Sequence, residues 1–249
     1  MKKAFSLLEL ILVIIILGVI LSLARSYPKN DQRIYQALKQ VLNDLSYTRN
    51  LALMQGAFRI NSAQIATKDE WFKARWQLYF IRSAWATENE QTYTIFLDKN
   101  GDGNANLGRT AINLDREIAH DLLDHLKFMN SGQSGVISKS DPRASARFNI
   151  EKSYGVSKVE FKGACAGFTR INFDEYGRLH SPLRTATKPY EKLIFHKNTP
   201  CVIRLSNDLK QTACIVLDPL SGFAFIPNFE ANKKQFISIG NKKIECEKI

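Results

Sequence analysis

Three patterns of apolar and polar positions divide the chain. From Phe5 to Ala24 the sequence FSLLELILVIIILGVILSLA is apolar on every side, with Glu9 as its one carboxylate. After Pro28 and the polar Lys29-Asn30-Asp31-Gln32, apolar positions return at Ile34, Leu38, Val41, Leu45 and Ala52, with Thr48 in the same row. Steps of four and three place them on one face of a helix, a stripe fit to pack on a sheet. The spacing predicts one long helix from Phe5 to about Gln55, kinked near Pro28 and ended by Gly56. Beyond it, aromatic and β-branched runs predict strands at Trp71–Ile81, Gln91–Leu97, Val156–Phe161, Phe168–Phe173, Cys201–Leu205 and Ala213–Leu217. Ile118, Leu122, Leu123, Leu126 and Met129 suit a short amphipathic helix within Asn113–Met129, followed by a polar surface loop to Ala146. The expected fold is α+β: a long N-terminal helix, transmembrane in its first half and amphipathic in its second, packed on a C-terminal antiparallel β-sheet head.

Length changes the picture of the first run. Its 20 residues rise ~30 Å, the thickness of a bilayer core. A carboxylate within such a span costs roughly 2.5–3.5 kcal/mol, so Glu9 is expected to have a task. Lys2 and Lys3 precede the run and place the N-terminus in the cytoplasm. Formal net charge is +11 over 249 residues, which fits a solvated surface or an anionic partner. The four cysteines, Cys165, Cys201, Cys214 and Cys246, all lie in the last third, and their even number suggests disulfides formed in an oxidising compartment.

The stretch KKA-FSLLELILVIIILGVI resembles the amino terminus of type IV prepilins and type II secretion pseudopilins. The resemblance implies cleavage between Ala4 and Phe5, with Ala4 where Gly is usual, and N-methylation of Phe5. It makes Glu9 the fifth mature residue, which in that family meets the N-terminal amine of a neighbouring subunit. Leu45–Gln55 resembles the "L-x-x-A-R-x-x-A-x" helix end of the GspH/FimT-type minor pilins and pseudopilins, with Arg49 and Ala52 matching and Thr48 in place of Ala. Ile171–Arg178 is similar to the "I-x-F-x-x-x-G-R" hairpin of that branch, and Leu220–Ile226 to its closing strand, with Phe223 in place of Arg. The implied organisation is a leader over 1–4, a transmembrane or filament-core helix over 5–27, its amphipathic continuation over 28–55, and a β-rich head over 56–249. The implied function is that of a minor pilin or pseudopilin, single-pass in the inner membrane with its head in the periplasm, then built into a pilus or pseudopilus. Its partners would be other pilin or pseudopilin subunits, the prepilin peptidase/methyltransferase, and secretion cargo.

Within the head, Asp98-Lys-Asn-Gly-Asp-Gly-Asn104 follows a predicted strand. Asp98, Asn100, Asp102 and Asn104 supply oxygens, and Gly103 a tight turn, as in the front half of an EF-hand-type calcium loop. The twelfth position is Arg109 rather than Glu, so a hairpin whose side chains cap its own turn is the competing reading. His120 and His125 stand beside Asp121 and Asp124 without a third strong donor, and read as surface histidines rather than a zinc site. A two-residue turn at Asn207-Asp208 would set Cys201 opposite Cys214 at a close, non-hydrogen-bonded position, leaving Cys165 for Cys246; two other connectivities stay open. The chain holds no G-x-S-x-G, Walker loop, C-x-x-C or H-E-x-x-H, so an enzyme is not expected. The alternative function is a DNA-binding minor pilin for uptake during transformation, with phosphate contacts from Lys233, Lys234, Lys242 and Lys243 among other basic residues.

Overall fold

The computed structural model describes residues 7–25, 30–55, 68–99, 101–105, 117–195, 199–229, 234–239 and 242–248. Two helices stand where one was expected: α1 (Leu7–Arg25) and α2 (Asn30–Gln55). Pro28, whose ring lacks an amide hydrogen, falls between them. Among the described residues no helix is long and apolar enough to cross a membrane. The 19 residues of α1 rise ~28 Å, short of the ~30 Å hydrocarbon core, and end in Arg25. The continuous helix with a transmembrane half is therefore corrected to two separate helices. The single-pass inner-membrane location with a periplasmic head loses its support with it.

After α2 the described residues are built mainly on sheet: ten strands in three sheets. The first sheet has the order β2-β1-β4-β5, from β1 (Trp76–Ile81), β2 (Thr92–Leu97), β4 (Arg170–Phe173) and β5 (Leu179–His180). The second has the order β3-β6-β7-β8, from β3 (Val156–Gly163), β6 (Cys201–Asn207), β7 (Thr212–Leu217) and β8 (Ala224–Phe225). The third is the hairpin of β9 (Phe236–Ile239) and β10 (Lys242–Glu245). All named strand pairs are antiparallel. Two one-turn helices, α3 (Ala84–Thr87) and α4 (Ile150–Tyr154), lie in the connections.

Helix α2 packs across the first two sheets. The predicted stripe is buried: Ile34, Ala37, Leu38, Val41, Leu45 and Ala52 meet Leu78, Tyr93, Ile95 and Ile171 of the first sheet and Ile203, Leu205 and Ile215 of the second. Each fully buried aliphatic side chain contributes roughly 1.5–3 kcal/mol. Polar groups fasten the same helix. Arg147 bridges Asp44 of α2 at 3.0 Å and Asp121 at 2.7 Å; Tyr93 Oη donates to Asp44, and Ser145 Oγ to Asp121 at 2.7 Å. Burial raises the Asp44 carboxyl pKa against the pull of Arg147.

Between Ile118 and Met129 the expected helix is absent. Ile118 bridges Phe96 and His120 bridges Phe128, while Asp121 and Asp124 cap tight turns through the Leu123 and Leu126 amides. A helix would have placed Asp121 on a polar face; here it is 3% exposed and committed to Arg147.

The cysteine pairing also differs from the expected one. The β6–β7 connection spans Asp208, Leu209, Lys210 and Gln211, with Lys210 at φ 60°, so Arg204 faces Cys214 and Cys201 faces Leu217. The register puts Cys201 on the sheet face toward α2, with Ile203 and Leu205, and Cys214 on the opposite face, with Val202 and Val216. A cross-strand Cys201–Cys214 bond is impossible in that arrangement. The bonds are Cys165–Cys201 and Cys214–Cys246, one on each face. The second, with Gln235 donating to and accepting from the Cys214 backbone, holds the β9–β10 hairpin against the second sheet.

Candidate functional site

Two places in the fold carry more than packing. The first is α1. Every residue from Leu7 to Ile20 is exposed, although all of them other than Glu9 and Gly18 are Leu, Ile or Val. Leu7, Leu8, Ile14 and Ile15 each expose more than half of their surface, on different sides of the helix. A helix apolar all round is normally buried, so this one lacks a surface that its own head does not provide. Glu9 lies in its first turn, where a negative charge interacts favourably with the helix dipole. Ala4 and Phe5, the expected processing site, lie outside the described residues.

The second place is the loop after β2. Asp98 is 2% exposed; one carboxylate oxygen, Oδ2, accepts the Gly103 amide at 2.9 Å, and Gly103 stands at φ 82°. Asp102 Oδ1 accepts the Asn104 amide at 2.7 Å. Among the described residues, no hydrogen bond of normal geometry reaches Asp98 Oδ1, although Gln77 lies near enough to lower its pKa. Burial first, and the Asp102 charge second, push the Asp98 carboxyl up to about 6. A cavity of about 180 Å³ opens here, with Asp98, Asp102, Asn104, Gln77 and Arg170 in its lining. Arg170 stacks on Tyr79 and donates to Gln77 Oε1 and the Gly103 carbonyl. Glu117, fully buried, accepts the Lys99 amide at the root of the loop. Asn100 and Arg109 lie outside the described residues, and among those described no three His, Cys, Asp or Glu side chains gather as metal ligands.

No family model, curated protein or solved structure matches the chain.

The motif residues of the expected branch nevertheless meet in space. Arg49, near the end of α2, donates through Nε to the Ser221 carbonyl at 2.7 Å. It lies over Gly177, where an added Cβ would come within 2.9 Å of its Nε. Gly222 in turn presses on the Gly177 carbonyl, 1.9 Å from the position of a Cβ. Spacing alone could not join these three segments, which are distant in sequence. The other expected sites separate. His120 Nδ1 lies 2.8 Å from the His125 carbonyl, a local turn contact. Of the tail lysines, Lys234 pairs with Glu245, and Lys243 lies over the Phe236 ring; Lys242 is exposed at the start of β10, and Lys233 is outside the described residues. Arg204 pairs with Glu160. Of these basic groups, Lys234 and Arg204 are paired with carboxylates.

Sequence reasoning missed the Asp174–His180 pair. Asp174, fully buried in the β4–β5 turn, accepts the Tyr176 and Arg178 amides at 2.9 Å, Arg178 Nε at 2.8 Å, and contacts His180 Nε2 at 3.0 Å. The Asp-x-x-Gly-Arg turn was the available signal, but only the fold brings in His180.

Proposed function

We propose that the chain is a non-enzymatic structural subunit of a pilus-like filament, of the minor pilin or pseudopilin kind that its N-terminal sequence resembles. The observation that carries this is the all-round apolar surface of α1, exposed from Leu7 to Ile20. Packed against equivalent helices of neighbouring subunits, α1 would bury that surface in a filament core. Glu9 would set the axial register by meeting the amine of the neighbour's processed N-terminus, because a carboxylate enclosed by apolar helices is stable only when paired. The head, fastened to α2 by its core and by Arg147, would then be carried outside the helical core. Its two disulfides suit an oxidising compartment.

Site-specific photocross-linking from Val13 of the full chain in its native cell tests this reading. The expected adduct joins Val13 to an apolar N-terminal helix of another subunit with a carboxylate at its fifth mature residue. Glu9→Leu should reduce that adduct about tenfold, in line with the loss of a buried charge pair. Adducts confined to the chain's own head would overturn the proposal.

A further inference from the structure

We propose that the pocket formed by Asp98, Asp102 and Asn104 binds a calcium ion. The proposal is independent of the filament reading. Its first support is chemical: two carboxylates and a side-chain amide, all hard oxygen donors, come from one short loop that lines one cavity. The second support is the state of Asp98. This side chain is buried, yet among the described residues no hydrogen bond of normal geometry reaches Oδ1, with Gln77 near by, while Oδ2 is occupied by the Gly103 amide. A buried carboxylate oxygen left without a well-placed donor is costly, and a bound cation removes that cost.

The pocket also sets the rank of the ion. A volume of about 180 Å³ leaves room for the waters that must complete a coordination shell of six to eight oxygens. Mg²⁺ demands a stricter octahedron and gives up its waters reluctantly, so calcium should be preferred. Arg170 is the opposing feature. Its guanidinium is engaged by Tyr79, Gln77 and the Gly103 carbonyl, but its positive charge still weakens a nearby cation. Arg184 lines the cavity as well, so two carboxylates face two arginines, which places the affinity at the weak end of calcium sites, with a Kd of about 10⁻⁴–10⁻³ M, as in extracellular modules.

The test is thermal unfolding and calorimetric titration of the full chain with CaCl₂ and, separately, MgCl₂ after treatment with a chelator. Wild type should bind one calcium in that range, and calcium at ten times Kd should raise Tm by about 3–5 °C. Magnesium should bind at least tenfold more weakly. Asp98→Asn keeps the side-chain shape and removes a buried charge, so it should fold; it should lose the calcium response, as should the more exposed Asp102→Asn. No calcium binding to wild type would overturn the proposal and leave Asp98 as a buried acid of the turn. A calcium response that survives in both Asn variants would also overturn it, by placing the site elsewhere.

Discussion

At the scale of single residues, the head is organised by carboxylates that accept several donors. Asp174 is the clearest. Its burial opposes ionisation, but His180 and then the Arg178 amide and guanidinium outweigh it, and its carboxyl falls to about 2. The folded state therefore holds this group ionised more strongly than the unfolded chain does, with its ordinary value of 3.8. Its contribution to stability is present above about pH 4 and is lost as pH falls toward 2, at roughly 1–2 kcal/mol. Urea unfolding from pH 7 to pH 2 should show that loss. Asp174→Asn should be less stable at pH 7 by a similar amount and show a flatter acid limb. An unchanged acid limb would remove Asp174 from this role. From sequence, Asp174 was visible only as part of a turn. Its partner His180 came from a strand too short, at two residues, to leave an alternating pattern.

At the scale of elements, patterns that repeat were legible and contacts that close a turn were not. The stripe of α2 reached the core at Ile34, Leu38, Val41, Leu45 and Ala52, because a helix face is set by spacing alone. β1 and β2 formed within their aromatic runs, but Trp71–Lys73 of the first run belong to a 3₁₀ helix ahead of β1; the β4–β5 turn formed where Gly177 stands at φ 76°. The β6–β7 register departed from the expected one. One longer turn, with Lys210 in the left-handed region, moved Cys201 from Cys214 to Leu217 and with it both disulfides. Leu122, Leu123 and Leu126 had helical spacing but are exposed in turns, since Asp121 is drawn inward by Arg147. The junction of Arg49, Gly177 and Gly222 belongs to this scale too. Gly222 stands at φ 65° with the Gly177 carbonyl in the space of its missing Cβ. Gly222→Ala should therefore lower stability by about 2 kcal/mol or more, from backbone strain plus the clash, in chemical denaturation. A change within about 0.5 kcal/mol would mean that the β7–β8 turn yields freely.

At the scale of the whole molecule, the chain divides into a helix without a surface to bury it and a head with a complete core. The sequence showed that division through composition: an apolar run without polar interruption, then amphipathic and alternating patterns. It also suggested one helix through both parts, whereas the described residues give two elements, α1 ending at Arg25 and α2 starting at Asn30. The loop of Asp98 was legible as a half motif because its ligand types and Gly103 are local. The Oδ1 atom without a well-placed donor and the intrusion of Arg170 were not, since both depend on β1 and β4 lying side by side.

The filament account rests most directly on how the chain begins once it is made. Intact-mass and N-terminal peptide analysis of the protein isolated from its native cell measures this in one step. The account predicts a chain lacking Met1–Ala4 and starting at N-methylated Phe5, with Glu9 as its fifth residue. A chain that keeps Met1 in cells that process other prepilins would contradict it.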